Sequence, residues 1–200
     1  GICRARCPVV KANVSNRVFE LVTNNNVAIA NQPLTLLNPD LIVETFTASA
    51  NAQFGQSIHL TWVVRNIGAA TANVNWSDRL YLSTNPSSLS GAEVLLTEPA
   101  LRWFPAGAGY TNSQPVPLPL GVSRLPGGYF LVVRTDHTGV QPESDEANNL
   151  TFQPISLTYP SLPDLTVTHI VMPAAALAGQ TIPVIWTVAN SGTAAATAPW

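Results

Sequence analysis

The chain has 200 residues, a formal net charge of −2 and 10% charged residues, against roughly a quarter in an ordinary soluble domain. With one lysine (Lys11) and no basic cluster, it lacks the footprint of a nucleic-acid or anionic-membrane binder, and no apolar run approaches the ~18–20 residues of a spanning helix. Hydrophobic residues at 46%, broken up by 17 prolines and 12 glycines, read as short strands between turns and are too apolar for a disordered chain.

The chain begins at Gly1 without a methionine or a signal peptide and reads as an interior piece of something longer. Cys3 and Cys7 lie four apart. In an extended strand their Cα atoms would be about 13 Å apart, beyond the ~7 Å a disulfide spans. Unless the chain turns there, free or intermolecular cysteines are the expectation. Next, Pro8–Asn26 echoes Leu131–Asn149 at an offset of 123, with the spacing of Glu20 to Asn26 matching Glu143 to Asn149.

From Asp40 onward, period-two alternation predicts strands over 40–48, 57–66, 74–83, 93–97, 110–118, 129–135 and 149–159. In 57–66, Ile58, Leu60, Trp62 and Val64 share one face, and His59, Thr61, Val63 and Arg65 the other. Turn signals separate the strands at Asn66-Ile-Gly68, Asn85-Pro-Ser, Ala106-Gly-Ala-Gly109 and Pro126-Gly-Gly128.

The strongest signal is internal repetition. Pro39–Trp76 and Pro163–Trp200 align without a gap at an offset of 124 and are identical at 16 of 38 positions. The shared residues include Asp40/Asp164, Gly55/Gly179, Trp62/Trp186, Asn66/Asn190, Gly68/Gly192 and Trp76/Trp200. Residues 1–38 therefore read as the C-terminal part of one repeat plus a linker, 39–160 as a complete repeat, and 163–200 as the start of another. About seven strands in such a unit, with no helical periodicity, predict an all-β class of tandem immunoglobulin-like or fibronectin-III-like β-sandwich repeats. No cysteine pair joins the sheets, so Trp62, Trp76, Val64 and Leu80, with Trp186 and Trp200 in the following copy, are expected to form the core.

The combination Pro39-Asp-Leu-Ile-Val43, Gly55-Gln56 to Gly68, Trp76-Ser-Asp-Arg-Leu-Tyr-Leu-Ser83 and Glu143 to Asn149 resembles CARDB, the cell-adhesion-related domain found in bacteria. The resemblance extends over nearly the whole chain through three partial or full copies. It implies an all-β sandwich used in tandem in large extracellular bacterial and archaeal proteins. The first copy departs from the pattern: Arg6 and Pro8 stand where Tyr129 and Leu131 stand in the second.

No G-x-S-x-G, H-E-x-x-H, P-loop or G-x-G-x-x-G occurs, and His59, His137 and His169 are isolated. The expectation is no enzyme and no cofactor, with one exception to weigh. Glu143, Asp145, Glu146, Asn148 and Asn149 offer alternating oxygen donors that suit Ca²⁺; the competing reading is a tight turn whose acids face water. Asp78 falls in register with Trp76, Leu80 and Leu82, so it needs a partner inside, with Arg79 and Arg124 as candidates. Trp103 and Phe104 lie outside the core pattern. They read either as a carbohydrate-stacking pair or as a plug under a long connection.

Function is expected to be structural or adhesive. The chain reads as a module of a large secreted or surface protein of a prokaryote, packed against neighbouring repeats and self-associating into an extracellular fibre. Strand edges poorly guarded by charge favour such assembly. The alternative is an ancillary domain of a secreted enzyme, a spacer or a binder of surface glycans or proteins. Neither reading involves nucleic acid or insertion into a membrane.

Overall fold

Alternating apolar residues in strands of seven to ten residues need a second layer to cover them, and residues 39–160 supply both layers. The computed structural model describes residues 7–100, 103–121 and 124–197, and every regular element among them is a β-strand. Leading the chain is a hairpin of β1 (Val9–Lys11) and β2 (Val27–Ile29). Eight strands follow: β3 (Leu41–Thr47), β4 (Asn51–Gln53), β5 (Ser57–Asn66), β6 (Ser77–Ser83), β7 (Glu93–Pro99), β8 (Gly109–Pro117), β9 (Gly127–Arg134) and β10 (Leu150–Thr158). A second hairpin, β11 (Leu165–Val171) and β12 (Ile185–Asn190), ends the described chain.

The eight central strands form two sheets, one ordered β3-β5-β8 and the other β4-β10-β9-β6-β7. All pairings are antiparallel except β4 with β10. The core lies between the sheets: Ile58, Leu60, Trp62 and Val64 of β5 face Leu80 and Leu82 of β6, Leu131 and Val133 of β9, and Ile155 and Leu157 of β10. Each of these ten side chains is at most 4% exposed. Trp76 sits in a second cluster with Leu41, Ala72 and Phe104.

Two elements differ from expectation. The short strand β4 lies outside the predicted strands, because Asn-Ala-Gln carries little β preference; it forms by parallel pairing with the end of β10. Strand β6 starts at Ser77 rather than Val74. Ahead of it, the amides of Asn73 and Val74 donate instead to the Gln141 side-chain oxygen, at 2.9 and 3.0 Å.

The β11–β12 hairpin reproduces the backbone of β3–β5 at the offset of 124. Both pairs carry a bulge at matching positions, between Val43 and Thr45 and between Val167 and His169. Asn66 Oδ1 accepts from Asp40 N (3.0 Å) and Gly68 N (3.1 Å), and its Nδ2 donates to Ala70 O (2.8 Å). Asn190 makes the same three bonds, to Asp164 N (2.9 Å), Gly192 N (3.1 Å) and Ala194 O (2.7 Å). Gly68 is obligatory in this lock: a Cβ there would lie 2.5 Å from Asn38 O and Asp40 N, and one at Gly192 would overlap the equivalent Leu162 O and Asp164 N. The turn before β5 repeats as well. Gln56 and Gln180 each cap it through Oε1, and Gly55 (φ +79°) and Gly179 (φ +82°) take the left-handed conformation that glycine permits.

Burial is where the copies part. Trp186, expected in a core, is 62% exposed, and Trp200 lies outside the described residues. The reason is that no sheet packs on the β11–β12 face among the described residues. At the other end, β1–β2 pairs Val9 with Ile29 just as β9–β10 pairs Val132 with Phe152. The cysteine expectation is corrected at Cys7, which is disulfide-bonded rather than free; Cys3 lies outside the described residues.

Candidate functional site

The acidic corner between β9 and β10 is built by a left-handed residue and a tight loop. Asp136 (φ +38°) follows β9, and its fully buried carboxylate accepts from Val140 N (3.1 Å) and Gln141 N (2.8 Å). That loop brings Glu143 inward. One Glu143 oxygen accepts from Leu41 N at the start of β3 and the other from Asn149 Nδ2 (3.0 Å). Glu146 Oε1 accepts from Glu143 N at 3.1 Å. The result brings one oxygen from each of Asp136, Glu143 and Glu146 within 4.8 Å of the others.

Five residues were named for this loop from the sequence, and the structure sorts them. Glu143 and Glu146 converge, whereas Asp145 is exposed and folds back to accept from Ala147 N (2.8 Å). Asn148 Nδ2 donates to Asp40 Oδ1 (2.8 Å), and Asn149 supports Glu143. Asp136 lies outside the residues that the sequence singles out; its signal is a lone acid seven residues ahead of Glu143. The turn reading also needs correction, since Glu143 is 9% exposed rather than facing water. Burial pushes its carboxyl up to about 7 against the opposing bonds from Leu41 N and Asn149, with Glu146 and Asp136 adding like-charge repulsion.

The same corner ties down the segment leading into β3. Ser144 N donates to Pro39 O (2.9 Å), Ser144 Oγ to Asp40 Oδ2 (2.9 Å), and Asn38 O accepts from Ala69 N and Ala70 N at 3.0 and 3.2 Å.

Inside the sandwich, Asp78 is fully buried, and neither expected arginine reaches it. Arg79 donates to Thr97 Oγ1 (3.0 Å), and Arg124 pairs with Glu93. Strand alternation explains the case of Arg79, because neighbours on β6 point to opposite faces. The partners are Trp62 Nε1 (2.7 Å) and Tyr110 OH (2.8 and 2.9 Å), both from the opposite sheet. Burial raises the Asp78 pKa, and the bonds from Trp62 and Tyr110 pull against that rise. Its role is structural: Trp62 and Tyr110 on one sheet and Asp78 on the other make a hydrogen-bonded network that joins the sheets.

Phe104 is 7% exposed and packs edge-on against Trp76 and Tyr110, with centroids 5.9 and 5.3 Å away. Of the two readings of this pair, Phe104 takes the plug and is not available for stacking on a sugar. Trp103 beside it is 73% exposed with φ +65°. His59 is exposed and shares a bond with Ser113 Oγ (2.8 Å), and His169 is exposed.

These features define a two-sheet β domain with a polar tie through its core and an acidic corner at one end. The CARDB family model matches residues 38–152, and the chain belongs to that family, one of non-catalytic domains. Similar solved structures include a CARDB domain from Pyrococcus furiosus in complex with di-metal ions (16% identity, TM-score 0.47, 64% of this chain and 95% of that one). A solution structure of the same archaeal domain matches at 15% identity and TM-score 0.47, over 62% of this chain and all of that one. A β-glucosidase from Erythrobacter marinus matches at 17% identity and TM-score 0.37, over 60% of this chain but only 16% of the enzyme. Comparison with curated protein sequences finds no match.

Proposed function

We propose that the chain is a run of immunoglobulin-like CARDB modules acting as a non-catalytic stalk or fibre segment of an extracellular or surface protein. One observation carries this reading: the Asn66 lock, the bulge and the Gln56 turn all recur at the same offset on β11–β12. A module boundary built twice in the same way is what a repeating array requires. Its linkers are short and pinned. Leu162 O accepts from Thr193 N and Ala194 N at 3.0 and 3.2 Å, as Asn38 O does from Ala69 N and Ala70 N, which leaves Tyr159–Ser161 between β10 and the next lock. Pro160 within these three residues and Pro163 after Leu162 restrict bending, so the array is a semi-rigid rod.

Electron microscopy of the intact native protein, with calcium present, tests this. Filaments with a regular axial repeat support a fibre subunit, and separate rod-like strings support a stalk. Isolated globular particles without an elongated array contradict the reading. A second reading, an ancillary glycan-binding domain of a secreted enzyme, draws on exposed Trp103 alone. Binding on a glycan array that Trp103→Ala abolishes would favour it.

A further inference from the structure

We propose that Asp136, Glu143 and Glu146 hold a calcium ion at the β9–β10 corner, with Asn149 as a further oxygen ligand. The argument begins from a comparison inside the chain, between this corner and its counterpart at the offset of 123. The two share a backbone. Asn13 (φ +45°) occupies the left-handed position of Asp136 (φ +38°). Asn16 N donates to Asn13 O (3.0 Å) as Gly139 N does to Asp136 O (2.9 Å), and Ala12 N to Asn26 O (2.9 Å) as Thr135 N does to Asn149 O (3.0 Å). Val18 N reaches the Asn13 side-chain oxygen at 3.2 Å, where Gln141 N reaches that of Asp136 at 2.8 Å.

What differs is the chemistry facing the conserved glutamate. Asn13 Nδ2 donates to Glu20 Oε1 at 2.6 Å. The second copy has Asp136 in that place, with no hydrogen to give, and Glu146 where the first has Thr23. An N–H···carboxylate contact has become three carboxylates with oxygens within 4.8 Å. Neither ion pair among the described residues reaches them; Arg65 serves Glu44, and Arg124 serves Glu93. Like charges this close, on partly buried groups, call for a positive partner.

A second observation points to a ligand. Asn149 is 2% exposed and its Oδ1 has no hydrogen-bond partner, although the Nδ2 of the same amide donates to Glu143. The unpartnered oxygen belongs to the same amide whose nitrogen meets the Glu143 carboxylate at 3.0 Å. Asn148 Oδ1 is likewise buried without a partner. Buried amide oxygens and carboxylates together are the donor set of a hard cation, and Ca²⁺ tolerates irregular geometry of this kind better than Mg²⁺. The acids are also held as ligands are held. Val140 N and Gln141 N orient Asp136, Leu41 N orients Glu143, and Glu143 N orients Glu146, leaving each oxygen a lone pair. Since Glu143 bonds Leu41 and Ser144 bonds Pro39, the ion would brace the point where the linker joins the module; only that consequence rests on the array reading above.

Calorimetric titration of the chelator-treated 200-residue chain with CaCl₂, paired with thermal unfolding, tests the site. One equivalent of Ca²⁺ should bind and raise Tm by about 5 °C at saturating ion. Asp136→Asn, which copies Asn13, should lose that response while matching or exceeding the wild-type Tm in chelator, because its amide can donate to Glu143. Glu146→Gln alters an exposed side chain and keeps the test valid if the first variant misfolds; its Ca²⁺ affinity should fall about tenfold or more. No binding heat and no Tm shift in folded wild type would overturn the proposal. So would a Ca²⁺ shift that both substitutions leave intact.

Discussion

Strands β5 and β12 carry the same tryptophan, the same asparagine lock and the same turn, yet Trp62 is fully buried and Trp186 is 62% exposed. Their hydrogen bonds agree within 0.1 Å at each of the three lock contacts. The local backbone of this module is therefore set by its own residues, whereas its core requires the opposite sheet. Local geometry and stabilisation have separate origins here: the first comes from Asn, Gly and Gln at fixed positions, and the second from apolar area removed from water.

The largest contrast should appear on truncating the two tryptophans. Trp62→Ala should destabilise the chain by about 3–5 kcal/mol in denaturant unfolding, while Trp186→Ala should change it by less than about 0.5 kcal/mol. Equal effects would mean that β11–β12 has a covering layer in solution. Smaller is the loss expected from removing the polar tie. Asp78→Ala should cost about 1–3 kcal/mol, because it strands the buried Trp62 N–H and Tyr110 hydroxyl.

The same carboxyl carries a pH signature. Burial raises its folded-state pKa above the unfolded value of 3.8, so the native state holds the proton more tightly. Its contribution is full below pH 3.8 and is lost as pH rises through the folded value. Thermal unfolding across that window should therefore show a flatter profile for Asp78→Asn than for wild type. Next in size is the lock itself. Asn66→Ala should cost about 1–2 kcal/mol, since it leaves the amides of Asp40 and Gly68 unpaired in a part-buried site. Asn190→Ala, in the exposed copy, should cost a few tenths. Opposite in sign is Trp103→Gly, which should stabilise by up to about 1 kcal/mol by relieving the left-handed backbone.

Much of this fold was legible because alternation is strict. The inward set of β5 follows directly from Ile58, Leu60, Trp62 and Val64 at period two. Strand β4 was not legible, since it owes its existence to β10, a partner about 100 residues away. At the acidic corner, the cluster from Glu143 onward stood out, but the inward turn of Glu143 depends on Leu41 N, which sequence spacing cannot reveal. Asp136 was hidden for a different reason: its spacing does not show that the Val140 and Gln141 amides fold the loop so that its carboxylate meets Glu143. Asp78 was read as buried from its register, yet its partners came from β5 and β8 rather than from an arginine. Placement on a face is a property of one strand; a partner across the sandwich is a property of two.

The most direct measurement is amide hydrogen exchange on the 200-residue chain, followed strand by strand. The amides of Leu60–Val64 in β5 should exchange only through global unfolding, and those of Ile185–Asn190 in β12 orders of magnitude faster, despite the shared hydrogen-bond pattern. Equal protection in the two strands would contradict the account, for it would show that the local lock, rather than burial under the opposite sheet, supplies the stability of the module.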